Sequence, residues 1–318
     1  MRLTIWIPAL AIAVLGCVRA QEPAPDPAYG ALTKAYTALR ARDYDPAIDA
    51  FREAVRLSPN RADIRKDLAY ALLRTGDSEA AREEFGEAMR LDPGDFHTAL
   101  EYAFLCFEAG NEMPARTAEA RRVFAFVRDH GDPQSRATAA AAFRNVDEPL
   151  AAGIDRWRKA IAAAGPSFSA CDELGRLAEQ RDELDLAAAN YKAAFQLLPA
   201  RKSVLVDLAR VEKARGDSEA MMAALIAASR GGEPRAAEMA REQLPERYPY
   251  VYEFRQALQL DPSNEALRRE LAYLLLRMSQ DGRAARQDAE KEFALLHDPV
   301  SMAQLGFLYL EDQRSDLA

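Results

Sequence analysis

Residues Ala62–Asp95 read ADIRKDLAYALLRTGDSEAAREEFGEAMRLDPGD, and this stretch decides the fold. Leu68-Ala69 sits in a first apolar helix pattern, and Ala81, Phe85 and Ala88 mark a second. Between them stands Gly76-Asp77. Gly76 can take the left-handed conformation that ends a helix, and Asp77 or Ser78 can cap the next one. Ala81 is small where two helices cross, Phe85 fills the space beside it, and Pro93 stops the second helix. The stretch therefore predicts a helix-turn-helix hairpin.

The hairpin repeats. Ala47, Ala81 and Ala115 stand 34 residues apart, and Phe51/Phe85, Ala54/Ala88, Pro59/Pro93 and Gly76/Gly110 keep that interval. Downstream, Leu174-Gly175, Ala187, Tyr191, Ala194 and Pro199 form another unit. Leu208-Ala209, Gly216-Asp217 and Ala228 form one more, with Met221 at the small crossing position. Gly153, Trp157, Ala160 and Gly165-Pro166 read as a worn second helix, and Phe254, Ala257, Leu260 and Pro262 as another. Leu271-Ala272 with Ala284, and finally Leu305-Gly306 with Tyr309, continue the series. This pattern resembles the tetratricopeptide repeat, a 34-residue helix-turn-helix unit with Leu-Gly/Ala in helix A, Ala and an aromatic in helix B, and a closing Pro. The resemblance implies an all-α, right-handed superhelical solenoid of about eight units over residues 31–318, each burying its face only against its neighbours.

Some segments depart from the pattern. In the third unit the closing Pro arrives at Pro133 instead of position 127, which predicts a helix B about six residues longer. Arg230 to Pro234 reads as a loop. Tyr248 to Phe254 carries four aromatics around Pro249, as either an exposed patch or a repacked junction between repeats. The last unit reads as incomplete at Ala318, with Leu305, Phe307, Leu308, Tyr309 and Leu310 on a helix A whose partner would follow.

Residues 1–20 have the pattern of an export signal: Arg2, then an apolar run from Leu3 to Leu15 that is short for a membrane span. Val18-Arg19-Ala20 offers a cleavage site before Gln21, and Val14-Leu15-Gly16-Cys17 resembles a lipobox that would leave a lipidated Cys17. The alternating prolines of residues 21–30 predict an extended spacer. The expected location is the periplasm or cell surface, with a lipid anchor if Cys17 is modified.

Composition narrows the function. Across 318 residues, 42 Lys+Arg against 50 Asp+Glu give a net charge of −8, which argues against a nucleic-acid binder. Three Cys exclude a disulfide scaffold, and three scattered His leave little for a metal. No nucleophile elbow, dinucleotide fingerprint, phosphate loop or zinc-protease motif occurs. Cys106 and Cys171 read as core residues. The expectation is no enzyme activity, no cofactor and no metal.

In the family this pattern resembles, helix A lines a concave groove and its ninth position points into it. That position reads Tyr36, Tyr70, Phe104, Arg176, Arg210, Tyr273 and Phe307, with Leu39, Leu73 and Phe107 at the twelfth. Aromatic rings there suit an extended or helical peptide; alternatively they pack sideways between adjacent helices A. The family's clamp for a terminal carboxylate needs Lys and Asn at set positions of helix A, but here the ninth positions are aromatic or Arg. Arg176 and Arg210 would meet an acidic segment, or be neutralised by Asp172, Glu173 and Asp207. The function expected is a scaffold that binds another protein or peptide. The alternatives are an accessory module of an envelope export or polysaccharide secretion system, and a regulatory domain of an enzyme continuing beyond Ala318.

Overall fold

The computed structural model describes residues 26–110, 113–278 and 283–317. The export signal, Cys17 and the start of the spacer lie outside these. The chain divides into two compact units, with the boundary between Leu91 and Asp92. Among the described residues every regular element is a helix.

The first unit holds α1 (Tyr29–Arg40), α2 (Tyr44–Leu57), α3 (Ala62–Thr75) and α4 (Ser78–Leu91). α1 pairs with α2, α3 pairs with α4, and α2 packs on α3. The turn between α3 and α4 forms as the residues dictate. Gly76 has φ +85°, and the N–H groups of Gly76 and Asp77 donate back to the carbonyls of Leu73 (3.2 Å) and Leu72 (3.1 Å). The Asp77 carboxylate accepts from the Ala80 N–H at 3.1 Å, capping α4. Ala47, Phe51, Ala81 and Phe85 are wholly buried. α1 begins at Tyr29 because the Asp26 carboxylate accepts from the Ala28 N–H (2.9 Å) and pairs with Arg61 (2.6 Å), tying the chain down there.

The second unit runs through α5 (Phe96–Ala109), α6 (Pro114–His130), α7 (Pro133–Ala164), α8 (Phe168–Gln180), α9 (Leu184–Leu197) and α10 (Ser203–Arg215). It continues with α11 (Ser218–Ser229), α12 (Pro234–Gln243), α13 (Val251–Leu260), α14 (Glu265–Met278), α15 (Arg283–Ala294) and α16 (Pro299–Glu311). The hairpins here are α5/α6, α8/α9, α10/α11 and α14/α15. In α8/α9 the small residue of the Leu-Gly pair is needed: a Cβ on Gly175 would stand 2.9 Å from the Tyr191 ring.

Three segments differ from the expectation. First, Ala115 and Ala284 are not crossing residues. Ala115 is half-buried and Ala284 exposed, whereas Ala120 and Ala289, five positions later, are fully buried with Phe124 and Phe293 four beyond them. In the first case, α6 starts with Pro114 and runs a further turn before it meets α5; at 17 residues against 14 for α4 it is three longer, not six. Second, the worn helix B at Gly153 to Pro166 is not a separate element. Pro133 to Ala164 is one 32-residue helix with Pro149 inside it, because no Gly-Asp turn interrupts the run. Asp147 fastens this helix to both neighbours, pairing with Arg121 of α6 (2.6 Å) and Arg181 just after α8 (3.1 Å). Third, α12 and α13 do not form a repeat hairpin. α12 packs on α10 and α11, while α13 packs on α11 and α14. α11 is enclosed as a result, and every residue from Ala223 to Ser229 is buried.

Candidate functional site

The ninth position of helix A has one recurring geometry. Four of the five aromatics there lie edge-on against the helix B ring of their own hairpin: Tyr36 on Phe51 (5.4 Å between centroids) and Tyr70 on Phe85 (5.0 Å). Phe104 does so on Phe124 (5.0 Å) and Tyr273 on Phe293 (5.1 Å). The helix B ring is fully buried in all four pairs. The helix A ring stands over it with its outer edge wet, 39 % exposed for both Tyr36 and Phe104. These rings thus lean on helix B of their own unit, which fixes their orientation at low entropy cost. Phe107 and Phe307 are also exposed, and Leu39 and Leu73 are half-buried.

The polar members are held by hydrogen bonds. The Tyr36 hydroxyl donates to Asp67, one helix A further on, and burial together with that carboxylate pushes its pKa up to about 12. Arg176 is paired with Glu173 at 2.6 Å. Arg210 binds both oxygens of buried Glu179 (2.6 and 2.9 Å) and also Asp207 (2.9 Å). Burial alone would lower the Arg210 pKa, but Glu179 overrides it and raises it. Glu179 also accepts from the Tyr191 hydroxyl at 2.9 Å. Arg176 and Arg210 are therefore neutralised internally. Glu179, which does most of this for Arg210, is not among the acids singled out from the sequence.

The Tyr248 to Phe254 stretch divides in two. Phe254 is fully buried and forms a junction, and Tyr248, although 48 % exposed, is tied to it by donating its hydroxyl to Glu270 at 2.6 Å. Tyr250 and Tyr252 are about half-exposed and stack on each other at 6.0 Å, with Arg247 over the Tyr250 ring at 4.2 Å. Cys106 and Cys171 are buried and form no disulfide, and burial pushes the Cys171 pKa up, opposite to what a nucleophile needs. Among the described residues no cluster of His, Cys, Asp and Glu has the form of a metal site. Among the same residues no helix is long and apolar enough to cross a membrane.

Helical hairpins that each bury a face against their neighbours define a helical repeat protein. Residues 32–96 match the family model described as tetratricopeptide repeat. Residues 32–96 are thus tetratricopeptide repeat sequence, and helical hairpins recur in the second unit as α5/α6, α8/α9, α10/α11 and α14/α15. No curated protein matches it. Solved structures similar to it include the P58(IPK) TPR domain, at 15 % identity over 91 % of this chain and 90 % of that one, with a TM-score of 0.38. Another is residues 41 to the end of MamA from Desulfovibrio magneticus RS-1, at 16 % identity over 69 % and 98 %, TM-score 0.28. A third is a thermophilic TPR protein of Thermus thermophilus, at 16 % identity over 78 % and 99 %, TM-score 0.24. Tetratricopeptide proteins bind other proteins or peptides, and their fold is typically non-catalytic.

Proposed function

We propose that this chain is a non-enzymatic scaffold of the bacterial cell envelope that holds a partner protein or peptide against the helix A face of its hairpins. The observation that carries this reading is the set of ring pairs, in which a buried helix B aromatic supports a half-exposed helix A aromatic. Rigid, half-wet rings give contact area with little ordering cost when a partner docks. Tyr36, Tyr70, Phe104 and Tyr273, with Leu73 and Phe107 beside them, stand on this face of their own hairpins, Phe307 holds the same position on α16, and Arg176 and Arg210 hold it in theirs as internally paired residues. Export follows from the signal-like residues 1–20, with release before Gln21 or anchoring through Cys17.

Photo-crosslinking in a bacterial envelope tests the reading. The full chain carrying p-benzoylphenylalanine at Phe107 should give a discrete crosslinked product, and the same group at exposed Glu83 of helix B should not. Equal products at both positions, or none at Phe107, would refute the helix A face as the docking side. The mass of the mature chain separates a start at Gln21 from an acylated start at Cys17. Recovery of full-length chain from the cytoplasm would remove the envelope assignment.

A further inference from the structure

The first unit contains a cleft of about 650 Å³ between the ends of α1 and α3. Its lining is Leu39, Tyr44, Tyr70 and Ala71 with Arg40, Arg42 and Arg74, and one carboxylate, Asp67, which accepts from the Tyr36 hydroxyl and leaves the cleft with a surplus of two positive charges. The three arginines are exposed. Their charge state distinguishes them. Six other arginines of this unit each have a carboxylate partner: Arg52, Arg56, Arg61, Arg65, Arg82 and Arg90. Among the described residues Arg40, Arg42 and Arg74 have none. Arg40 donates only its Nε, to the Tyr36 carbonyl at 3.2 Å, so its outer N–H groups remain available. Among the described residues of the unit, the three unpaired guanidiniums therefore line one cleft with a largely apolar and aromatic floor.

We propose that this cleft takes an acidic peptide segment of the partner, with side-chain carboxylates on Arg40, Arg42 and Arg74 and an apolar residue over Leu39 and Ala71. The inference rests on the helix A face being the docking side, and adds the partner's chemistry. Guanidinium is the natural match for carboxylate, since it presents several donors in a planar fork. The surrounding molecule is acidic, at −8 overall, so a long polyanion such as nucleic acid is repelled, while a short acidic segment meets only the local positive field. The apolar floor selects a segment that mixes acidic and apolar residues over a uniformly charged one.

The test uses the full chain and a fluorescein-labelled peptide of alternating Glu and Leu, with a Gln/Leu peptide as its uncharged counterpart. Fluorescence anisotropy should show the Glu/Leu peptide binding at least about tenfold more tightly, with affinity falling as salt is raised. Arg74→Glu should weaken that binding by at least about tenfold, the scale of one charge-assisted hydrogen bond. Arg52→Glu, on the same unit but away from the cleft, should leave it unchanged. Equal binding of the two peptides, no binding of the Glu/Leu peptide, no effect of Arg74→Glu, or equally tight binding of an oligothymidylate would each overturn the proposal. Tyr70→Ala separates the two levels. If both peptides bind alike and both are released by Tyr70→Ala, the docking side stands and the acidic chemistry falls. Loss of the Phe107 crosslink described above would instead remove the docking side itself.

Discussion

The Tyr70–Phe85 ring pair supports a quantitative prediction. Phe85 is fully buried between α3 and α4, so Phe85→Ala removes a whole ring from a closed site and should cost about 3–5 kcal/mol. Tyr70 keeps one edge in water, so Tyr70→Ala should cost roughly 2 kcal/mol, near what part-burial of an aromatic is worth. The rings meet at 5.0 Å with their planes 81° apart, a geometry worth about 0.5–1.5 kcal/mol beyond area burial. A double-mutant cycle should therefore show the two losses falling short of additivity by that amount. Hydrogen exchange at the amides of α3 and α4 is the right assay, because repeat proteins open unit by unit and a single melt averages over them. A coupling below about 0.3 kcal/mol would show that the rings do not support each other. A Tyr70→Ala loss as large as that of Phe85→Ala would show that Tyr70 is core and offers no face to a partner.

Two further outcomes test the register and the fastening of α7. Ala120→Leu, at the true crossing of α5 and α6, should cost about 1–3 kcal/mol through overpacking, while Ala115→Leu should be nearly neutral; thermal melts of both variants that prove equally stable would refute the five-residue shift. Burial raises the Asp147 pKa, but Arg181 and Arg121 together outweigh it and hold the carboxyl below its usual value. A depressed folded pKa stabilises the protein above the unfolded value, near pH 4, and that contribution is lost as pH falls further. Asp147→Asn should thus cost about 1.5–3 kcal/mol at neutral pH and flatten the acid limb of urea stability, and parallel limbs for variant and parent would refute it.

Local signals were legible wherever a few adjacent residues set the geometry. Gly76 and Asp77 specify their turn by backbone freedom and a side-chain acceptor, and the structure has both. Counting from unit to unit worked only until an inserted turn broke the count. Ala115 matched the interval but not the contact, whereas Ala120/Phe124/Val127 and Ala289/Phe293/Leu296 carry the local spacing of small, aromatic and apolar residues that marks a helix B. The fusion in α7 was hidden because Gly153, Trp157 and Ala160 keep the spacing of a separate second helix, while the helix runs on through Pro149 because packing on α6 and α8 outweighs one missing N–H. At the candidate site the aromatic positions follow from periodicity, but Glu179 does not. Its partners Tyr191 and Arg210 lie 12 and 31 residues away, and only the shared 31-residue link of Tyr36 to Asp67 hints at the pairing.

The enclosure of α11 has a consequence for synthesis. Its Ala, Leu and Ile residues are covered by α10, α12 and α13, and α13 ends only at Leu260. When the ribosome has released Ser229, only one of those three covers exists. Until some thirty further residues have emerged, the nascent chain displays an apolar helix that water must solvate. A chaperone that captures short Ala/Leu-rich helices would have its binding window there, and a pause in translation between Gly231 and Leu260 would lengthen it.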